Sequence, residues 1–211
     1  MIQFLTVGML QEHTYFFIDE STKHGFVVDP GAEAERILAK IREENWVIEK
    51  ILLTHGHYDH IGAAVELKKA LGCPIVCHEE GRIYLSDPSW NMSEAFGVSF
   101  SCEADSYVKH GDVITLEANE DMTLRVLHAP GHTSDGVAFY CEKEGFAFVG
   151  DILFEGAIGR SDLPGGNMQR LMSAIRAQLF TLPGSTVIYP GHGRSTTIGK
   201  EKEINPYFNF E

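Results

Sequence analysis

The stretch "LLTHGHYDHIG" at residues 52–62 constrains this chain more than any other feature. It places three histidines and an aspartate within six residues, directly after an apolar run: His55, His57, Asp59 and His60. By composition alone, such an H-x-H-x-D-H string would occur about once in a thousand chains of this kind, so coincidence is a weak explanation. The stretch is either a histidine-rich polar turn, with Asp59 as the N-cap of the next helix, or a cluster of metal ligands.

Three further polar residues occupy the same kind of position. His132 in "PGHTSDG", Asp151 in "FVGDILF" and His192 in "YPGHGRS" each follow a predicted strand. Functional side chains gather at strand ends, because loops there carry polar groups while the strands stay rigid. Either histidine alone would more often be a packed or solvated residue. Their shared position favours a role as ligands.

The candidate ligands together comprise five imidazoles and two carboxylates. One catalytic zinc takes three protein ligands and keeps an open position, so seven ligands are too many for one ion and fit two. One of the carboxylates would then bridge the pair. Nitrogen and oxygen donors without a thiolate suit zinc, iron or manganese. The sequence therefore predicts two divalent metal ions, with zinc as the first choice.

Other residues of the same types lack this context. Asp29 in "VVDPG" ends a strand, and turn chemistry explains it adequately. Five histidines are interpreted as structural or surface residues: His13, His24, His78, His110 and His128. The four cysteines form no C-x-x-C pair and are interpreted as reduced core thiols: Cys73, Cys77, Cys102 and Cys141.

The charge balance excludes some classes of partner. The formal net charge of −13 is the opposite of the electrostatic footprint of a nucleic-acid-binding protein. No apolar run reaches the roughly 18 residues that a membrane helix needs. The first residues contain no basic leader and no cleavage-like site, so a cytoplasmic protein is expected, without a nucleic-acid or membrane partner. The oligomeric state is not readable from the sequence.

The pattern of apolar residues predicts mixed strands and helices. Strands are expected at residues 15–19, 25–29 and 50–54, and helices at residues 32–45, 60–72 and 168–180. Asn167 and Gly72 are a predicted N-cap and C-terminal cap. The second half repeats the order of elements seen in the first. Two sheets packed together and covered by helices would explain this repetition.

The ordered series "THGHYDHIG", "PGHTSDG", "GDILF" and "YPGHG" resembles the metallo-β-lactamase superfamily over nearly the whole chain. Within it, "FEGAIGRSDLPGG" and the tail "TIGKEKEINPYF" look like the compact bacterial glyoxalase II-like hydrolases. The resemblance implies an α+β fold, an αβ/βα four-layer sandwich of two mixed sheets flanked by helices. It implies one domain over residues 1–211. Full-length glyoxalase II enzymes carry a helical extension that helps bind glutathione, whereas only 19 residues (193–211) follow His192.

The resemblance also implies roles for the candidate ligands. The first metal would be held by His55, His57 and His132, and the second by Asp59, His60 and His192. Asp151 would bridge the two. The implied activity is hydrolysis of S-lactoylglutathione or a related small-molecule thioester by a hydroxide that bridges the metals. Asp59 and Asp151 would be the catalytic carboxylates, with Asp59 orienting the hydroxide.

Arg160 and Ser161 follow the Asp151 strand and are candidates to line the substrate pocket. For Arg160, a salt bridge to a carboxylate near the metals is an equal alternative.

Another reaction class remains open on the same residues. Persulfide dioxygenases look similar, share the stretch after the bridging aspartate, and hold one iron with two histidines and that aspartate. The same positions here are His55, His132 and Asp151. A lactamase is less expected because no export signal is present, and a nuclease because the chain has no basic exosite. A non-catalytic binding module would have no evident use for seven ligands.

Overall fold

The computed structural model describes residues 1–209, which form two compact units. The first unit comprises Met1–Val108 and Thr115–Met122, and the second comprises Lys109–Ile114 and the chain from Thr123 onward. No helix within residues 1–209 is both long and apolar enough to cross a bilayer. The single domain expected over residues 1–211 stays a prediction.

The first unit is built on a six-stranded sheet whose strands lie in sequence order. They are β1 (Ile2–Val7), β2 (Glu12–Ile18), β3 (His24–Val28), β4 (Val47–Leu52), β5 (Ile75–His78) and β6 (Ser106–Val108). The first three pair in antiparallel fashion, and β3 to β6 run parallel. Val28 lies opposite Leu52, so the parallel strands β3 and β4 end side by side. The loops that follow them therefore begin at the same edge of the sheet.

Four α-helices belong to the first unit: α1 (Ala34–Glu44), α2 (Tyr58–Ile61), α3 (Ala64–Leu71) and α4 (Arg82–Ser86). Short 3₁₀ turns occur at Glu79–Gly81 and Ser93–Phe96. As the sequence predicted, α1 buries Ile37, Leu38 and Ile41 in the apolar core of this unit.

The helix predicted over residues 60–72 is broken in the structure, so that prediction is wrong in its continuity. The backbone N–H of Ala63 donates to the carbonyl of Pro30 at 2.9 Å rather than to the preceding helical turn. Gly62 packs against the same segment, where an added Cβ would lie 2.4 Å from a backbone oxygen. The chain then restarts as α3 and ends at Gly72 with φ +71°, which confirms the predicted cap.

A second mixed sheet, most of which belongs to the second unit, has the order β14-β13-β10-β9-β8-β7. In chain order these strands are β7 (Val113–Leu116), β8 (Asn119–His128), β9 (Val137–Cys141), β10 (Phe146–Gly150), β13 (Val187–Pro190) and β14 (Thr196–Thr197). A separate two-stranded ribbon joins β11 (Leu153–Phe154) to β12 (Ala157–Ile158). Strands β10 and β13 are parallel, whereas β8–β9, β9–β10 and β13–β14 are antiparallel.

The helices of the second unit are α5 (Met168–Ala174), which continues as a π-helix over Ile175–Leu179, and α6 (Ile198–Ile204). Asn167 is the predicted N-cap, and its side chain accepts a hydrogen bond from the Arg170 N–H at 2.9 Å. The helix expected over residues 168–180 is present, but its last turn is wider. The Phe180 N–H donates to the carbonyl of Ile175, five residues earlier, at 2.9 Å.

Residues interpreted as structural have structural partners. The Nδ1 of His24 lies 2.8 Å from a carboxylate oxygen of Glu49, and His110 Nδ1 accepts from the backbone N–H of His128 at 3.2 Å. Burial raises the pKa of some of the thiols, to about 11 in the case of Cys73. Four cysteines are buried and form no disulfide: Cys73, Cys77, Cys102 and Cys141.

Candidate metal centre

The loop after β4 and the helix α2 place three histidines in one buried cluster of the first unit. His55 and His57 are 2% and 4% exposed, and His60 is fully buried. The ring centroid of His55 lies 4.8 Å from that of His57 and 4.1 Å from that of His60. The Nε2 of His55 lies 3.1 Å from the Nδ1 of His57. These two nitrogen atoms are therefore as close to each other as two ligands of one metal ion would be.

Asp59 lies within α2 and is not its N-cap. The N-cap position is His57, and no side chain makes a capping hydrogen bond there, so the alternative of Asp59 as a capping residue is wrong. The Oδ2 of Asp59 lies 3.9 Å from the Nε2 of His60. Its side chain is 21% exposed, whereas the three histidines of the cluster are buried.

Asp29 supports this cluster, so turn chemistry alone does not explain it. It follows β3 with φ +50°, and its carboxylate is buried. The carboxylate accepts hydrogen bonds from the Thr54 N–H at 2.7 Å and the Thr54 hydroxyl at 2.5 Å. It also accepts from the Nδ1 of His60 at 3.0 Å. The available signal was its position: β3 and β4 are neighbouring parallel strands, so a carboxylate after one meets the loop after the other.

These hydrogen bonds set the tautomers of two histidines. The carboxylate of Asp29 accepts a hydrogen bond from the Nδ1–H of His60, which leaves the lone pair of that ring on Nε2. Because Thr54 donates its hydroxyl proton to Asp29, its oxygen accepts from Nδ1 of His55 at 3.2 Å. Both rings therefore turn an unprotonated Nε2 toward the interior of the cluster.

Glu12 is a second buried carboxyl group that the sequence analysis missed. Burial raises the pKa of Glu12 well above its usual value, with His60 opposing the rise and Asp29 and Asp59 adding to it. The hydroxyl of Thr14 lies 3.2 Å from Oε2 of Glu12 and 2.9 Å from the carbonyl oxygen of Asp29. A charged residue at the start of an apolar strand was the signal that could have found it.

The second unit gathers the other candidate ligands at the ends of its parallel strands. Asp151 directly follows β10, and His192 follows β13. The Gly191 N–H donates to the carbonyl of Gly150 at 2.9 Å, which joins the two loops. The Nε2 of His192 consequently lies 3.6 Å from Oδ2 of Asp151. Parallel neighbours that end at one edge explain why residues 41 positions apart meet (192 minus 151).

His132 completes the set in the second unit. Its Nδ1 donates to the backbone carbonyl of Arg160 at 2.7 Å, which leaves the lone pair on Nε2. That Nε2 lies 3.7 Å from Oδ2 of Asp151. The carboxylate of Asp151 is therefore approached by two imidazole nitrogens, one from each neighbouring loop.

Arg160 contributes its backbone to this group, while its guanidinium faces outward. The side chain makes two hydrogen bonds to Asp162, at 2.8 and 2.9 Å, and both side chains are exposed. The Asp162 hydrogen bonds raise the pKa of Arg160 above its usual value. The predicted substrate contacts of Arg160 and Ser161 stay predictions.

The donors in each unit fit divalent metal ions. Separations of 3.6–3.9 Å between an imidazole nitrogen and a carboxylate oxygen are too long for hydrogen bonds. Two ligands of one tetrahedral zinc ion lie about 3.3 Å apart, given Zn–N bonds of about 2.0–2.1 Å. The tautomers of His60 and His132 present lone pairs, not protons, to two of these gaps. Imidazole and carboxylate donors without thiolates suit zinc, iron or manganese.

The chain matches the family model of the metallo-β-lactamase superfamily over residues 8–192. The chain belongs to the metallo-β-lactamase superfamily. The matched range includes every candidate ligand, from His55 to His192. The observed pair of mixed sheets with flanking helices is the fold of this superfamily, so the predicted family and fold class are confirmed.

Individual superfamily members are similar over nearly their whole length. Hydroxyacylglutathione hydrolase GloC of Haemophilus influenzae is 35% identical over 214 residues, which cover 99% of this chain and 98% of that relative. The crystal structure of the B3 metallo-β-lactamase BLEG-1 has a TM-score of 0.94 and 33% identity, and covers 100% of both chains. The crystal structure of TTHA1623 in a di-iron-bound form has a TM-score of 0.86 and 33% identity, and covers 97% of this chain and 99% of that one. The chain is a metallo-hydrolase of this superfamily with ligands for divalent metals.

Proposed function

We propose that this metallo-β-lactamase superfamily member is a thioesterase with a two-metal site, which cleaves S-lactoylglutathione or a related thioester. The observation that carries the proposal is the pair of donor sets, one in each unit, whose hydrogen bonds hold imidazole lone pairs ready for cations. GloC, whose name states hydroxyacylglutathione hydrolysis, matches along almost the whole chain. A neighbour crystallised with two irons supports a site for two ions.

The proposed ligand assignment follows the superfamily resemblance. The first ion would bind His55, His57 and His132, and the second would bind Asp59, His60 and His192. Asp151 would bind both ions, in keeping with the two imidazole nitrogens at 3.6 and 3.7 Å from its Oδ2.

The residues of the chain supply orientation and proton control. When bound, the ions supply a hydroxide at neutral pH and polarise the carbonyl oxygen of the substrate. Asp59, which is more exposed than the neighbouring carboxylate of Asp29, would accept a hydrogen bond from the nucleophile and aim it at the thioester carbon. Asp29 would hold the proton on Nδ1 of His60 throughout, so that ring stays a neutral ligand. The C–S bond then breaks and releases a thiol and a carboxylic acid.

A second candidate is oxidation of a persulfide at a single iron. Two histidines and one carboxylate are a common ligand set of non-haem iron oxygenases, and His55, His132 and Asp151 would provide it. The contact between His132 and Asp151 at 3.7 Å supports this reading equally well. The metal content and the co-substrate distinguish the two: the oxygenase needs one iron and molecular oxygen.

The test is a substrate screen on the full chain loaded with zinc, iron or manganese. Thiol release from S-lactoylglutathione and from a neutral thioester is measured beside cephalosporin hydrolysis and oxygen uptake with glutathione persulfide. We expect thiol release and about two metal ions per chain. One iron per chain with oxygen uptake would establish the second candidate instead, and cephalosporin turnover alone would overturn both.

A pair of variants ties the activity to the proposed ligands. Asp151→Asn should lower metal content and reduce thiol release at least 10²-fold, whereas Asp121→Asn on an exposed part of β8 should change neither. Full thiol release with two ions bound to Asp151→Asn would contradict the proposal.

A further inference from the structure

A cavity of about 310 Å³ lies in the first unit and reaches Asp59. Four separate segments form it: the turn between β1 and β2, the loop before α1, the region of α2 and α3, and the stretch after the 3₁₀ turn Ser93–Phe96. Its apolar wall includes Val7, Leu10, Ala32, Phe96 and Val98. The cavity has the size and the largely apolar lining of a small-ligand site.

The wall on the side of Phe96 is held by a buried asparagine. The side-chain Nδ2 of Asn91 donates to the backbone carbonyls of Tyr84 at 2.9 Å and Phe100 at 3.0 Å. The backbone carbonyl of Asn91 accepts from the Tyr58 N–H at 2.8 Å. The ring of Tyr58 lies 5.3 Å from that of Phe100 and 6.4 Å from that of Phe96. The aromatic side chains of the wall are therefore Phe96 and Tyr58, and Tyr58 is the first residue of α2, the helix that carries Asp59 and His60.

The opposite rim presents exposed apolar side chains. Met9 is 87% exposed and Leu10 is 46% exposed, at the tip of the turn between β1 and β2. The turn is anchored by the Gly8 N–H, which donates to Glu33 at 3.0 Å. Flexible methionine and leucine side chains at the mouth of an apolar cavity suit contact with a hydrocarbon chain.

The charges around the cavity select against anions. Among the described residues that line it, those charged at neutral pH are the acidic Glu33, Asp59 and Glu66. Glu33 is neutralised by Arg36, which donates to it at 2.8 Å, whereas Glu66 is exposed at the rim. A ligand group that carries a carboxylate would be repelled there.

We propose that this cavity binds the uncharged, unbranched acyl chain of a thioester substrate, with the carbonyl end toward Asp59. The inference rests on the proposed thioesterase function and names the substrate class: acyl thioesters of about four to eight carbons, in preference to lactoyl or carboxylate-terminated acyl groups. Each methylene that enters the cavity should raise kcat/KM about fourfold, the equivalent of about 0.8 kcal/mol, until the cavity is full.

The first test uses thioesters that share one neutral leaving group, N-acetylcysteamine, and differ in the acyl chain: acetyl, butyryl, hexanoyl, octanoyl and glutaryl. On the metal-loaded chain we expect kcat/KM to rise about 10²-fold from acetyl to hexanoyl, and glutaryl to be at least tenfold poorer than hexanoyl. A flat dependence on chain length would overturn the inference.

Matched variants separate the cavity from general effects. Val98→Trp should fill the cavity and remove the advantage of hexanoyl over acetyl, whereas Val113→Trp, at an exposed position of β7, should keep it. Glu66→Lys should improve glutaryl turnover, and Glu43→Lys, with the same change of charge on α1, should not. An equal effect of both members of either pair would contradict the assignment.

A binding measurement keeps the inference testable apart from turnover. Calorimetry on the metal-free chain would use the ketone analogue of the hexanoyl thioester, in which a methylene replaces the sulfur. We expect saturable binding with a negative heat-capacity change, which Val98→Trp abolishes and Val113→Trp does not. Binding without hydrolysis of any thioester would refute the thioesterase proposal and leave the cavity assignment standing. Hydrolysis without binding or chain-length dependence would refute the cavity assignment alone.

Discussion

At the scale of single residues, the side chains beside the ligands are as informative as the ligands. Asp29 and Thr54 settle the tautomers of His55 and His60, and the carbonyl of Arg160 settles that of His132. A histidine with its proton already held on one nitrogen binds a cation without a competing tautomer. The chain therefore builds the geometry of its donors from ordinary hydrogen bonds.

Replacing Asp29 with asparagine should expose this dependence. Asp29→Asn keeps the shape but weakens the bonds to Thr54 and removes the fixed acceptor for His60. We expect zinc affinity to fall about 10–100-fold, measured by competition with a chelating dye, while the chain stays folded. Asp121→Asn serves as the control. Unchanged zinc affinity in Asp29→Asn would show that the carboxylate has no role in ligand orientation.

The residues that the sequence analysis identified and those that it missed differ in a physical way. The seven candidate ligands stand in local patterns, within six residues or directly after a strand. Glu12 stands in no such pattern. Asp29 does follow a strand, but its partners are distant: it meets Thr54 and His60, 25 and 31 positions later. Only the pairing of β3 with β4 brings Asp29 close to Thr54 and His60. That pairing cannot be read from any single segment of the sequence.

At the scale of elements, the loops after parallel strands deliver the candidate ligands, and close backbone packing holds them. Residue 31, in the loop after β3, is a glycine pressed against α2. A Cβ added to Gly31 would lie 1.6 Å from the carbonyl oxygen of Asp59 and 2.7 Å from the carboxyl group of Glu12. No side chain fits there, so glycine lets the loop seat the helix that carries Asp59 and His60.

Gly31→Ala should therefore destabilise the fold strongly. We expect a loss of about 3 kcal/mol in the free energy of unfolding, measured with urea, because backbone atoms must move apart. Gly184→Ala is the matched control, since its added Cβ would meet nothing closer than 3.6 Å and no loss is expected. Equal stability of Gly31→Ala and Gly184→Ala would mean that the loop and the helix can separate without cost.

Periodicity predicted the elements better than it predicted their interruptions. The strands β2, β3 and β4 overlap the expected ranges but begin one to three residues earlier, and the caps at Gly72 and Asn167 are where the sequence placed them. The break at Gly62 was missed because its cause is a hydrogen bond from Ala63 to Pro30, in another part of the chain. A helix continues only while its N–H groups have no better acceptor, and that acceptor is tertiary.

At the scale of the whole molecule, the chain carries a formal net charge of −13, which favours the binding of cations. Each unit holds its own carboxylates beside imidazoles. Carboxylates gathered without a cation repel one another in the folded state but not in the unfolded chain. Bound metal ions should thus contribute to folding as well as to chemistry.

Metal removal should lower thermal stability in a concentration-dependent way. Zinc at about 100 times its dissociation constant would add about 2.7 kcal/mol for one site, or about 5–10 °C in Tm for a chain of this size. Scanning calorimetry of the stripped protein across a zinc titration measures the effect. Magnesium, which prefers oxygen ligands, is the control and should give a smaller shift. A Tm that ignores zinc would argue against metal ligands in the folded chain.

The wide turn at the end of α5 affects which changes of length this helix can tolerate. Between Ile175 and Phe180 the helix contains one residue more than an α-helical turn would need. The hydrogen bond of 2.9 Å from the Phe180 N–H to the Ile175 carbonyl shows this. This one turn accommodates the extra residue, so both ends of the helix keep their positions. Deleting one residue between Ile175 and Phe180 would return this turn to α-helical geometry and keep both helix ends in place. We therefore expect the helix to tolerate a one-residue deletion here better than a deletion in α1, which has no wide turn.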